Sequence, residues 1–215
     1  MKKKISFIFN IIIFVLVIIS CWMMFSGFKF MHGPEPVLES TKLGMFRFFT
    51  VDSNIFMGIA SLFFIIFRIK NKTSDYPKWL YIFKMMATSA VTLTFLVVFL
   101  YLGPITEYGI IMMLQNSNLF FHLIIPVLSI ITFIFFENTK ALSFKDSFYG
   151  ILPCFLYSLY YVTNVLVHMY NGKVSTVYDW YWLVQKGVWT AVIVAPLFLI
   201  ISYIISFILW KLNKR

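Results

Sequence analysis

Polar residues along this chain come in short clusters separated by long apolar runs. Six runs are long enough to cross a bilayer as helices, which takes roughly 20 residues. They fall at 5–25, 48–67, 79–102, 119–136, 148–167 and 187–210. The pattern predicts an all-α polytopic membrane protein, with six transmembrane helices forming one domain over 1–215. The longest connection, 26–47, is too short for a soluble domain. Function is therefore expected in the bundle or at its rim. No internal repeat and no low-complexity segment interrupts the pattern.

Composition strengthens this reading. Of the 215 residues, 61% are hydrophobic, 20% aromatic and 12% charged, about half the charge of a soluble domain. That excludes a soluble globular protein and a disordered one. The net charge of +10 raises the question of nucleic acid, but the charge sits at the ends of apolar runs, so no nucleic-acid partner is expected. One side of the spans carries Lys2, Lys3, Lys4, Arg68, Lys70, Lys72, Lys78, Lys140, Lys145, Lys211, Lys214 and Arg215. The other carries Lys29, Lys42, Arg47, Lys173 and Lys186, and Lys84 lies inside the third span near the first side. Lys/Arg bias then predicts cytoplasmic termini, with 26–47, 103–118 and 168–186 facing outward. Cys21 and Cys154 fall near opposite faces, which argues against a disulfide. The Lys2–Cys21 stretch has features of a lipoprotein signal, but its apolar run continues through Phe25 and is long enough to stay as a span.

Ionisable residues inside spans are costly and mark candidate functional positions. Span two has Thr50, Asp52, Ser53 and Asn54 in its outer quarter; span four has His122, with Asn116, Ser117 and Asn118 just outside; span five has Asn164 and ends at His168. Thr50 and His122 both lie about 5–6 Å below the outer boundary. At about 100° per residue, Thr50, Ser53, Asn54 and Arg47 share a helical face, whereas Asp52 points elsewhere and reads as half of a structural pair. Asn118, His122, Pro126 and Ser129 form a stripe on span four. Pro126 leaves the His122 carbonyl without its usual helical donor. The run Tyr178, Asp179, Trp180, Tyr181 and Trp182 reads as interfacial anchors or as a lid over a lipid pocket.

A hydroxyl and an imidazole at one depth are the minimum for nucleophilic catalysis: the base takes the hydroxyl proton and later returns it. No GxSxG elbow, HExxH, P-loop, GxGxxG or zinc-type Cys/His spacing is present. The few charges in the spans argue against an ion pump or a voltage sensor.

The stretch Phe46-Arg47-Phe48-Phe49-Thr50-Val51-Asp52-Ser53-Asn54 resembles a motif of the androgen-induced protein family of multipass threonine hydrolases, and more closely of its prokaryotic six-pass branch. That pattern is an aromatic-rich run, Phe-Thr, two variable residues and Ser-Asn. A second block, Asn118-Leu119-Phe120-Phe121-His122 followed by Pro126, is similar to the family's opening of span four, which closes here at Glu137. The run 178–182 stands where relatives carry a Tyr-Pro-rich stretch ending in Asp, and this chain lacks that proline. The likeness spans essentially the whole chain in span count, topology and block order. It implies Thr50 as nucleophile and His122 as its partner, and a recurrent basic residue at Arg47. Asp52 falls at a position that varies in relatives. Animal members act on fatty-acid esters of hydroxy fatty acids.

Together these readings predict an intramembrane lipid-ester hydrolase in a bacterial plasma membrane, with membrane lipids and a lipid ester as its partners. Thr50 and His122 are its catalytic pair. Arg47, Ser53, Asn54 and Asn118 are expected to bind substrate or the oxyanion. Asp179, Trp180, Tyr181 and His168 are expected in a lid or supporting position, with no metal and no cofactor. Two alternatives stay open: a non-enzymatic lipid or small-molecule binder or transporter, and a haem or quinone protein using His122 and His168.

Overall fold

The structure, a computed structural model, describes residues 2–33, 40–71, 76–105, 109–185 and 187–214. Six long helices dominate it: α1 (Lys2–Ser26), α2 (Phe49–Lys70), α3 (Lys78–Ile105), α4 (Ser117–Phe136), α5 (Phe144–Val167) and α6 (Val188–Asn213). Each is long and apolar enough to cross a membrane, and no strand occurs among the described residues. The fold is all-α, and its architecture is that of an integral membrane protein. The termini share one face: Lys2 Nζ donates to Asn138 Oδ1 at 3.1 Å, and Asn213 Nδ2 donates to the Phe133 and Glu137 carbonyls at 2.6 and 2.9 Å. Of the basic residues that suggest orientation, Lys72, Lys186 and Arg215 lie outside the described residues. Cys21 and Cys154 are free thiols.

Local chemistry sets the helix ends. Phe48 is extended, with φ −95° and ψ 128°, so α2 starts at Phe49. Arg47 closes a separate 3-10 turn, Lys42–Arg47. The helical angle from Arg47 to Thr50 expected above therefore does not apply, because a non-helical residue intervenes. At the other face, α5 begins before position 148. The Asp146 carboxylate accepts the Ser143 N–H at 2.5 Å and its hydroxyl at 2.7 Å, a capping box that starts the chain turning at Phe144. Asp146 also pairs with Lys78 at 2.8 Å, joining the starts of α5 and α3.

α3 is the central helix, packing against α2, α4, α5 and α6. Its apolar window is 56% buried, against 22% for α5 and for α6. Those two outer helices approach each other and α3 through small residues, as membrane helices do. Ser206 Oγ donates to the Ser147 carbonyl at 2.7 Å, and Ser89 Oγ to the Ser202 carbonyl at 3.2 Å. At Gly150 an added Cβ would lie 2.1 Å from Ser206 Oγ and 2.2 Å from Ser206 Cβ. Gly150→Ala is therefore expected to destabilise the bundle by about 1–3 kcal/mol, the range for overpacking. The check is a lower midpoint of thermal unfolding in detergent.

Candidate functional site

Thr50 and His122 are brought to the same region by one amide. Asn54, on α2, is fully buried. Its Nδ2 donates to the Thr50 carbonyl at 2.7 Å and to the Phe121 carbonyl, next to His122, at 3.2 Å. The first turn of α2 and the start of α4 are thus neighbours.

The Phe121 carbonyl is open because of Pro126. Residues Phe120–Ile124 form a π-turn in which Ile125 N–H bonds to the Phe120 carbonyl, five residues back. In that register the next donor would serve Phe121, and the next residue is Pro126, which has no N–H. The carbonyl orphaned by the proline is therefore that of Phe121, not of His122 as an α-helical count predicts. Asn54 supplies the missing donor. π-turns of this kind recur at functional sites.

His122 is 7% exposed, and its Nδ1 lies 2.9 Å from the Met113 carbonyl. A carbonyl only accepts, so Nδ1 carries the proton and Nε2 keeps the basic lone pair. Thr50 is half-buried, and its hydroxyl makes no hydrogen bond among the described residues. Elsewhere in the bundle, Thr88, Thr92, Thr94 and Thr132 each donate to a carbonyl three or four residues back. Thr50 sits at the second position of α2, where that carbonyl is not part of the helix. No hydrogen bond joins Thr50 to His122 in this conformation.

The expected donors divide into two groups. Ser53 Oγ donates to the Thr50 carbonyl at 3.0 Å, and both Asn54 amide hydrogens are engaged. Neither has a hydrogen left for an incoming oxyanion; Asn54 Oδ1, buried and without a partner among the described residues, is an acceptor. Asn118, 7% exposed, keeps its side-chain amide free of hydrogen bonds among the described residues. Arg47 Nε is buried without a partner among the described residues, and the guanidinium lies 5.0 Å from the Phe48 ring centroid. Asp52 forms no ion pair among the described residues. It lies instead in the field of Tyr157 and Tyr181.

Of the aromatic run, Tyr181 and Trp180 lie over this end of α2, whereas Tyr178 is exposed. Tyr181 Oη accepts the Phe49 N–H at 3.0 Å. Tyr157 Oη donates to the Arg47 carbonyl at 2.5 Å and accepts Trp180 Nε1–H at 3.1 Å. Burial raises the Tyr181 phenol above its ordinary range, so it stays protonated. Asp179 holds the loop together: its carboxylate accepts the Tyr161 hydroxyl and the N–H groups of Leu183, Val184 and Gln185 at 3.0–3.1 Å. His168 lies apart, exposed at the end of α5. It stacks on Tyr178 with centroids 3.6 Å apart, and its Nδ1 lies 2.8 Å from the Asn164 carbonyl.

Asn116 fixes the neighbouring loop. Its Oδ1 accepts the Phe30 and Met31 N–H groups, both at 2.8 Å. Beside it lies a cavity of about 340 Å³ lined by Lys29, His32, Gln115 and Asn116 among others.

A second buried polar cluster, not expected from the sequence, lies toward the face of the termini. Lys84 on α3 is fully buried; its Nζ donates to Asn10 Oδ1 at 2.7 Å and Ser61 Oγ at 2.8 Å. Asn10 Nδ2 donates to Glu137 Oε1 at 2.6 Å, and Ser6 Oγ donates to the same oxygen at 3.0 Å. An amide thus separates the ammonium from its counter-charge. Burial, then the Glu137 carboxylate, push the Tyr76 phenol beside this cluster up to about 12. The signal was one of depth: Asn10, Ser61 and Lys84 are polar interruptions of three apolar runs at similar distances from one face.

Comparison with protein-family models, with curated proteins and with solved structures gives no match to this chain.

Proposed function

We propose that this protein is an intramembrane lipid-ester hydrolase with Thr50 as nucleophile and His122 as base. The termini are cytoplasmic in this reading, the membrane is a bacterial plasma membrane, and the site opens toward the outer leaflet. The supporting observation is the Asn54 amide, which ties the Thr50 turn to the residue before His122 while the Thr50 hydroxyl stays unbonded.

In this mechanism His122 Nε2 takes the Thr50 proton as Oγ attacks the ester carbonyl. The tetrahedral intermediate collapses to an acyl-threonine, and His122 returns the proton to the departing alkoxide. Water then attacks the acyl group, again giving its proton to Nε2. Collapse frees the fatty acid and Thr50 recovers its hydroxyl proton. The Met113 carbonyl stabilises the imidazolium through Nδ1–H. Asn118 and the Arg47 guanidinium are the donors with spare capacity for the oxyanion, a contribution of about 3 kcal/mol in sites of this type. Fatty-acid esters of hydroxy fatty acids fit the reading as substrates, because the unesterified carboxylate suits Arg47.

The second reading is a binder or transporter of lipids or small molecules. The buried Lys84–Asn10–Glu137 cluster favours it, since charges withdrawn into spans commonly belong to transport pathways. A fluorophosphonate probe separates the two. The hydrolase reading expects a covalent adduct mapped by mass spectrometry to the peptide containing Thr50, and its loss in His122→Ala. Intact, folded protein without an adduct transfers the weight to the binder.

A further inference from the structure

Two buried oxygens beside the Lys84 cluster have no hydrogen-bond partner among the described residues: Glu137 Oε2 and Tyr76 Oη. Their residues are 2% and 8% exposed. Buried polar groups are nearly always paired, so two orphans together point to a ligand. The two share one surrounding. The Glu137 carboxylate and the Ser6 hydroxyl both act on the Tyr76 phenol, and the same hydroxyl donates to Glu137 Oε1 at 3.0 Å.

Both oxygens are held in place. Asn10 and Ser6 donate to Oε1, and Asn213 Nδ2 donates to the Glu137 carbonyl at 2.9 Å. Oε1 therefore takes both side-chain donors and Oε2 takes none. The Tyr76 ring packs against Phe64, Phe67 and Tyr81, with centroids 4.5, 5.6 and 5.9 Å away. No cation touches the carboxylate: Glu137 forms no ion pair among the described residues, and Lys84 reaches it only through Asn10. A buried carboxylate without a contacting counter-charge attracts a cation strongly. Oxygen ligands suit a hard ion, and one carboxylate offsets one positive charge.

Lys84 supplies the charge balance. Its Nζ has two acceptors, Asn10 Oδ1 and Ser61 Oγ, while an ammonium carries three hydrogens. The third has only the Phe64 ring, whose centroid lies 5.6 Å from Nζ. A neutral amine thus keeps both hydrogen bonds. Of the charged groups nearby, Glu137 acts on Lys84 and on Tyr76, and Arg68 of α2 acts on Tyr76. The side chains that α1 and α2 place against Lys84, Asn10 and Ser61, do not titrate.

We propose that Glu137 Oε2 and Tyr76 Oη bind one small monovalent cation such as sodium, taken up from the face of the termini in exchange for one proton of Lys84. The ion enters, the proton leaves to water, and the buried net charge is unchanged. The inference does not depend on the hydrolase reading.

Thermal unfolding of the full chain in detergent, in sodium chloride or choline chloride at equal concentration, tests it. Choline is too large for the site. Sodium is expected to raise the midpoint by about 2–4 °C over choline. The rise is expected to grow when the pH is increased by about 1.5 units, because binding releases a proton. Glu137→Gln is expected to abolish the sodium effect, and Thr50→Ala to keep it in full. Equal midpoints in the two salts overturn the proposal, as does a full sodium effect in Glu137→Gln. An effect that does not grow with pH counts against it, because then no proton leaves. Loss of the effect in Thr50→Ala as well overturns it, by assigning the rise to general stability. Should Glu137→Gln fail to fold, Tyr76→Phe keeps the packed ring and removes one ligand. It is expected to lose at least about half of the rise, and an undiminished rise there overturns the site.

Discussion

Under the proposed mechanism, Thr50→Ala is expected to lower kcat for lipid-ester hydrolysis on the order of 10⁴-fold or more, with KM little changed. The loss corresponds to about 5 kcal/mol of transition-state stabilisation. It falls on kcat because the nucleophile contributes only once the new C–O bond forms. The substitution is structurally mild: Thr50 is half-buried, its hydroxyl bonds to nothing among the described residues, and its carbonyl, which Asn54 and Ser53 hold, is unaffected. Thr50→Ser keeps the hydroxyl and is expected to retain measurable turnover. Thr88→Ala or Thr92→Ala, which remove only a bond to the helix's own backbone, serve as controls and are expected to stay near wild type. Steady-state kinetics with a chromogenic fatty-acid ester, in protein whose thermal midpoint is unchanged, gives the answer. More than about a tenth of wild-type kcat in Thr50→Ala would sink the mechanism.

The second large effect is on stability. Asp179→Ala is expected to cost about 3–5 kcal/mol, because it strips a fully buried carboxylate from one phenol and three backbone N–H groups at once. Asp179→Asn keeps one acceptor oxygen and is expected to fall between. Limited proteolysis should cut the variant between residues 168 and 187 well before wild type. Turnover should fall with it, since the same loop holds Tyr181 against the first N–H of α2. A loss below about 1 kcal/mol by denaturant titration would mean that Asp179 is not what holds the loop.

Six spans were legible because lipid imposes a simple rule: apolar runs of sufficient length, with charges at their ends. The structure moves those ends by no more than about a helical turn. Site residues were legible less evenly. His122 and Thr50 stood out because each is polar in an apolar run and both lie at one depth. Asn54 was expected to offer a donor, yet it spends both hydrogens on carbonyls, and no count along α2 discloses that one of them belongs to α4. The π-turn was hidden for a related reason. Proline 126 signals an orphan carbonyl, but which residue carries it depends on a register that helix packing decides. Lys84 reads as lying inside the third span near one side, and Glu137 as the residue that closes the fourth. Their connection runs through Asn10 and is a property of the bundle alone.

The Lys84 cluster also has an order in time. Asn10 and Ser61 both precede Lys84 in the chain, so both of its direct acceptors are synthesised before it. A lysine entering the bilayer alone is costly, whereas α3 arrives with an amide and a hydroxyl already supplied by α1 and α2. Glu137 follows last and brings the compensating charge through an amide that is by then in place. Reversing that order, as a circular permutation opened between α2 and α3 would, sends Lys84 into the membrane before either acceptor exists. The polar core therefore favours this order of α1, α2 and α3 along the chain.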